Sequence, residues 1–147
     1  MTDDHALEVH ALEAAARHEI EALHGFFVAW FTGQGDDLDF RLCEAAFGDG
    51  FEMVAPDGRR HERGEVVQRL LQARGNAQGA FEIAVINPRK IWSAGDAIVM
   101  GYVEHQLRDS QSTRRRSVAL LTREPTAPRG MHWQSLAETW MMPDDLA

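Results

Sequence analysis

The stretch "DAIVMGYVEHQLRD", Asp96 to Asp109, decides how the chain is read. Its first half has the apolar run of a buried strand, and its second half carries Glu104, His105 and Gln106. Side chains alternate across a strand. Ile98, Met100, Tyr102, Glu104 and Gln106 therefore share one face, and Val99, Val103, His105 and Leu107 share the other. Neither face is wholly polar, so this is not a simple half-solvated strand. Either the charges sit at a wet rim, or the strand forms the wall of a polar-lined cavity. Polar groups deep in a sheet need a reason to be there, which favours the cavity.

The neighbouring stretches extend the sheet. "AFEIAVINPRKIWS" (80–93) leads into an "AGD" turn, and the quoted strand runs back from it. "RRRSVALLTRE" (114–124), the loop "PTAPRG" and "MHWQSLAETWMM" (131–142) follow. Strands joined by connections this short should pair antiparallel. Proline inside a strand demands an edge or a bulge, so a sharp bend is expected at "INP", Ile86 to Pro88. Strict alternation puts Arg116, Val118 and Leu120 on one face, and Arg115, Ser117, Ala119 and Leu121 on the other. It likewise groups His132, Gln134, Leu136, Glu138 and Trp140, opposite Trp133, Ser135, Ala137, Thr139 and Met141.

Ahead of the sheet, Ile20, Leu23, Phe27, Trp30 and Phe31 recur at helical steps. They predict one long helix from about Asp4 to Thr32, begun by Thr2, Asp3 and Asp4 and stopped at Gly33. Before Ile20 the stripe is mostly alanine, so loose packing is expected there. Asp36 or Asp37 can cap a short helix, "LDFRLCEAAF". "GDG" (48–50) reads as a break, "FEMVA" (51–55) as a strand and "PDG" as a turn. A third helix is expected from Gly64 to Arg74 with Val67, Leu70 and Leu71 inward. The order is α-α-β-α followed by at least four antiparallel strands, an α+β layout.

The chain's 147 residues, 1–147, suit a single domain with one core. A formal charge of -8 removes the phosphate attraction on which nucleic-acid binding depends, so no nucleic-acid partner is expected. No apolar run is long enough for a membrane span. "MTDDHALEVH" lacks the basic start and apolar stretch of a signal peptide, and the expected address is the cytoplasm. Cys43, the single cysteine, admits no internal disulfide.

The element order, with "GYVEHQ", "RRRSVALL" and "WQSLAETWM", resembles the nuclear transport factor 2-like superfamily. This group includes ketosteroid isomerases, SnoaL-like polyketide cyclases and the association domain of calcium/calmodulin-dependent kinases. The chain is most similar to a bacterial family of unknown function within it, marked by "Y-x-E-W-Q", "G-R-R-S" and "W-x-x-x-H-E-T-W". Those positions are here Tyr102, Glu104, His105 and Gln106; Arg115, Arg116 and Ser117; and Trp133, Ala137, Glu138, Thr139 and Trp140. His105 and Ala137 depart from the pattern, and nothing matches the Tyr/Asp pair of ketosteroid isomerases. The resemblance implies a cystatin-like cone, a curved antiparallel sheet wrapped around the long first helix, in a homodimer built sheet to sheet. It implies that Glu104, Tyr102, Gln106, Glu138 and Trp140 face the concave side.

Glu104, Glu138, Arg116 and Tyr102 are accordingly the candidate catalytic residues. Either glutamate would act as base, with Tyr102, His105 or Arg116 stabilising an oxyanion, in an isomerisation, cyclisation or dehydration. Trp30, Phe27, His24, Met100, Gln106, Val118 and Trp140 are the candidate ligand contacts, with Trp30 and Phe27 equally readable as core. The alternative is a non-catalytic ligand-binding or dimerisation module whose polar residues satisfy one another. Arginine between the carboxylates would keep both ionised; without it, burial and repulsion would raise at least one.

The remaining features favour plainer readings. "HEIEALH" brings His18, Glu21 and His24 near one another on a helix, but it is not a zinc signature, and no metal is expected. Trp92 and Trp133 read as convex-face or dimer-contact residues, and Cys43 as a buried small hydrophobe. "PDGRRHERG" is a solvated turn before it is an anion site. With no phosphate-cradling glycine loop, no cofactor is expected.

Overall fold

The structure is a computed structural model that describes residues 2–142. It contains α1 (Thr2–Phe31), α2 (Asp37–Ala46), β1 (Phe47–Val54), β2 (Arg60–Glu62), α3 (Arg63–Gln72), β3 (Phe81–Ala94), β4 (Ala97–Arg108), β5 (Gln111–Arg123) and β6 (Met131–Trp140). The capping side chain expected at Thr2 lies outside the described residues; Asp3 and Asp4 occupy the first turn of α1. Gly33 ends α1 at φ 82, as a C-terminal glycine should. Asp36 opens α2 with a reciprocal capping box: Asp39 N–H donates to its carboxylate, and its own N–H donates to that of Asp39.

The six strands form one sheet in the order β2-β1-β6-β5-β4-β3. The expected antiparallel pairing holds from β3 through β6. Strand β1 instead runs parallel to β6, so the sheet is mixed. Sequence-adjacent strands are forced antiparallel by short turns, whereas β1 reaches β6 across the whole intervening chain and is free to run the same way. "GDG" does not break the chain. It is a bulge within β1, where Phe47 to Glu52 spans only Trp133 to Ser135 of β6. The short β2 was not anticipated; "PDG" turns β1 back on itself to make it.

The bend at "INP" is present. Ile86 and Arg89 face Val103 and Gly101, one extra residue on β3, with Asn87 at φ 52. Arg17 of α1 donates to the freed Pro88 carbonyl at 3.1 Å, tying helix to bend. Leu12, Ala16, Ile20 and Leu23 of α1 pack on Ile98, Met100, Ala119, Leu121, Met131 and Trp133. Leu7 is exposed, but packing is close from Leu12 onward, where Ala16 is 0% exposed; small alanines let the helix approach the sheet. In α3, Val66, Val67 and Leu70 reach the core, while Leu71 is exposed, against expectation. Val66 and Leu70, four residues apart, share the inward face with Val67, which leaves Leu71 at its margin.

Candidate active site

The sheet and α1 enclose a cavity of about 300 Å³, at the small end of ligand pockets. Most of its wall is apolar: Leu23, Phe27 and Phe31 from α1, Phe47, Phe51 and Met53 from β1, with Val66, Leu70, Ile83, Trp133 and Leu136. His24, Glu104, Gln106, Arg108, Arg115 and Glu138 supply the polar part.

Strand register builds this polar wall in two rows. Glu104 of β4 stands opposite Arg115 of β5, which stands opposite Trp140 of β6. One step deeper, Tyr102, Ser117 and Glu138 line up in the same way. Because Ser117, Ala119 and Leu121 are buried, Arg115 shares their inward face. Arg116 and Val118 point the other way and are exposed. The guanidinium expected at Arg116 therefore comes from Arg115, and Val118 is no cavity contact. Alternation separates these neighbours correctly, but only the packing of α1 shows which set is inside.

Glu104 is buried and closely held. His24 Nε2 lies 2.8 Å from its Oε1, and Gln106 donates to its Oε2. Arg115 Nε stands 3.6 Å from the same Oε2. On its other side, His24 Nδ1 lies 2.7 Å from the Ile20 carbonyl. A carbonyl can only accept, so Nδ1 carries a proton. Nε2 and a carboxylate oxygen at 2.8 Å also need a proton between them. Burial acts to raise the Glu104 carboxyl, but the His24 hydrogen bond, the His24 and Arg115 charges and Gln106 outweigh it and hold the carboxyl below its usual range. His24 thus ties the Ile20 carbonyl of α1 to the Glu104 carboxyl of β4.

Glu138 is buried as deeply but poorly compensated. Its hydrogen-bond partner is Arg115 Nη1, at 3.5 Å from each carboxylate oxygen. Burial pushes its carboxyl up to about 6; Arg115 opposes this and the Glu104 charge reinforces it. Burial also raises the Tyr102 hydroxyl well above its ordinary value, aided by the Glu104 and Glu138 charges, so it remains a neutral phenol. Arg115 Nε lacks a hydrogen bond among the described residues, and the Tyr102 and Ser117 hydroxyls, register partners, have no partner of good geometry beyond each other. All three belong to the two rows around the carboxylates, and each can donate.

His24, Phe27, Glu104, Gln106 and Glu138 thus line the cavity together, with Tyr102 directly behind them. Other expected contacts lie elsewhere. Trp30 is core: its N–H donates to the Leu70 carbonyl at 2.6 Å, its ring stacks with Phe26 and Phe40, and Arg74 covers it. Met100 is fully buried beneath α1, off the cavity wall. Trp140 shares the face of Glu138 but lies beyond the cavity, half-exposed and stacked on Arg115 at 4.7 Å. His105 is on the outer face, 2.6 Å from Ser112.

Trp133 is the largest correction. It is fully buried and lines the cavity, because β6 inserts Gln134 between the partners of Leu120 and Leu121. That bulge moves Trp133 onto the face of Leu136 and Glu138. Its indole N–H donates to Glu19 at 3.0 Å, and Arg129 from the "PTAPRG" loop donates to both Glu19 oxygens. The signal for this network was Glu19 itself, an acid on the buried stripe between Ala16 and Ile20.

The remaining motifs are accounted for locally. Cys43 is buried and its thiol is pushed up to about 12 by desolvation, consistent with a packing role. In "PDGRRHERG", Arg60 pairs with Glu52 at 2.8 Å, and Arg63 donates to the Phe47 and Glu44 carbonyls. His18 and Glu21 are exposed while His24 turns inward, so these three do not converge.

No family model and no curated protein matches the chain. Solved structures do. One, from Pseudomonas aeruginosa, is described as an NTF-2 like protein of unknown function; it superposes at a TM-score of 0.79 with 23% identity, over 87% of this chain and 99% of that one. The chain has the nuclear transport factor 2-like fold. An uncharacterised cystatin-like protein from Caulobacter vibrioides follows at 0.67 and 13% identity, covering 90% and 92% of the two chains. The CaMKII hub of S. rosetta shares the nuclear transport factor 2-like fold at 0.60 and 10% identity, over 85% and 95%. No helix among the described residues is long and apolar enough to cross a membrane.

Proposed function

We propose that the chain is a small-molecule-pocket protein in which Glu138 exchanges a proton with the ligand, as an isomerase, cyclase or dehydratase would require. One observation carries this reading: two carboxyls in one small cavity are driven in opposite directions, Glu104 down and Glu138 up to about 6. Environments that split a pair of acids in this way keep one permanently charged and leave the other poised near neutral pH. Glu104 is engaged by His24, Gln106 and Arg115, so it orients that wall. Glu138 is met among the described residues by Arg115 alone, at 3.5 Å, and has the pKa of a general base. Arg115, whose Nε has no hydrogen bond among the described residues, is suited to an oxygen on which charge develops, with the neutral Tyr102 phenol behind it.

Hydrogen–deuterium exchange at carbon tests this directly. Small cyclic ketones and 1,3-dicarbonyl compounds would be incubated with the protein in D2O and followed by NMR. Accelerated exchange by the native protein, lost in Glu138→Gln, is expected. Exchange unaffected by that substitution would remove Glu138 from the reaction.

A second reading, a ligand-binding or dimerisation module, is favoured by the saturation of Glu104 and by the outer sheet face. Ile91, Trp92 and Val118 are 51%, 55% and 44% exposed there, an apolar surface suited to a second copy of the chain. Sedimentation of the native protein tests it, a monomer at all concentrations being the contrary result.

A further inference from the structure

The cavity has a charge balance that selects among ligands. Among the lining residues Arg115 and His24 contact the Glu104 and Glu138 carboxyls inside the cavity, whereas the Arg108 guanidinium stands apart from them at the end of the row. The acids of the polar wall are thus met by donors in the interior, and the positive charge left over lies at Arg108. Arg115 Nε, on the cavity wall, is a buried donor with no hydrogen bond among the described residues. An ammonium at the mouth would meet the like charge of Arg108.

Glu104, Gln106 and Arg108 form one inward row along β4, and Arg108 alone among the lining residues is exposed. The cavity therefore opens beside Arg108. Its guanidinium stacks over Phe81 at 4.9 Å and has no carboxylate partner among the described residues. Two residues advance a strand by about 6.6 Å. A cation at the mouth thus stands within one small molecule's length of Gln106, with Phe31 and Ile83 lining the way.

We propose, resting on the small-molecule reading above, that the pocket takes a compact, mostly apolar organic acid: its ring or chain packs among the phenylalanines, and its carboxylate pairs with Arg108 at the mouth. An amine of the same shape is disfavoured, and a neutral analogue lies between them.

The test uses three probes of one shape, benzoate, benzyl alcohol and benzylamine, titrated calorimetrically into the full chain at pH 7.5. Benzoate is expected to bind about fivefold tighter than benzyl alcohol, the scale of one partly exposed ion pair, and benzylamine more weakly than both. Arg108→Gln should bring benzoate to the level of the alcohol without changing the alcohol's own affinity. Arg108→Lys, which keeps the charge, should retain the preference. Arg108 is exposed, so both variants should fold, and their thermal midpoints check this. If benzyl alcohol binds but benzoate binds no better, or if Arg108→Gln keeps the preference, the acid assignment falls and the pocket reading stands. If none of the three binds, the pocket reading falls and takes the assignment with it.

Discussion

Replacing Glu138 with glutamine should alter the pH dependence of stability in a way that isolates one buried group. In the folded chain its carboxyl is pushed up to about 6 from an unfolded value of 4.5, chiefly by desolvation. A shift of 6 − 4.5 = 1.5 units corresponds to about 2 kcal/mol. The side chain is only 4% exposed, so solvent screening removes little of this. Because the native state binds the proton more tightly, the stabilisation is fully present below about pH 4.5 and is lost as pH rises through about 6. Glu104, shifted down, acts in the opposite sense: its contribution is present above its unfolded value and is lost as pH falls through its lowered native one. The two windows do not overlap. Urea unfolding of native protein and Glu138→Gln at pH 4.5 and 7.5 should therefore show the variant gaining about 2 kcal/mol on the native protein between the two conditions, or roughly 4–8 °C in relative melting temperature. Groups common to both proteins cancel in this difference. A stability gap that stays flat, or that moves in favour of the native protein as pH rises, would refute the assignment of Glu138 as the poorly compensated acid.

Other outcomes follow from the same contacts. His24→Ala leaves the Glu104 carboxylate buried without its ring partner from α1 and should cost about 3–5 kcal/mol in chemical denaturation. Carbon-detected NMR of labelled glutamate should then show the Glu104 carboxyl titrating higher. Arg129→Ala should destabilise by a similar amount through the stranded Glu19, and Trp133 fluorescence should change in the folded protein as the network holding its indole loosens. Val118→Glu places a charge on the outer sheet face; it should shift a dimer to monomer in sedimentation without altering benzoate binding. If the oligomeric state is unaffected, that face is not the contact between copies.

Much of this architecture is legible along the chain. The glycine and aspartate signals at Gly33 and Asp36 mark helix ends because they act through backbone conformation and a cap a few residues away. Pro88 bends β3 because its missing N–H disrupts the ladder wherever the strand lies. The grouping of Tyr102 with Glu104 and Gln106 follows from strand alternation, a property of the backbone alone. These are local effects, and residues close in sequence determine them.

What alternation leaves undecided is which face is inside, and that depends on distant packing. Arg115 and Arg116 are equivalent by composition and neighbours; Arg115 lines the cavity because Ser117, Ala119 and Leu121 are the set that α1 covers. Strict alternation also fails at a bulge, and the extra Gln134 exists only in the pairing of β6 with β5. That insertion carries Trp133 inward to meet Glu19, a contact spanning 114 residues. Trp30 lies on the predicted helical stripe yet seals α1 against α2 and α3, since a stripe wider than the cavity must bury its margin elsewhere. The opposite shifts of Glu104 and Glu138 belong to the same class. Both are glutamates on one concave face, and only the placement of His24 from α1 beside Glu104 makes one a held charge and the other a poised acid.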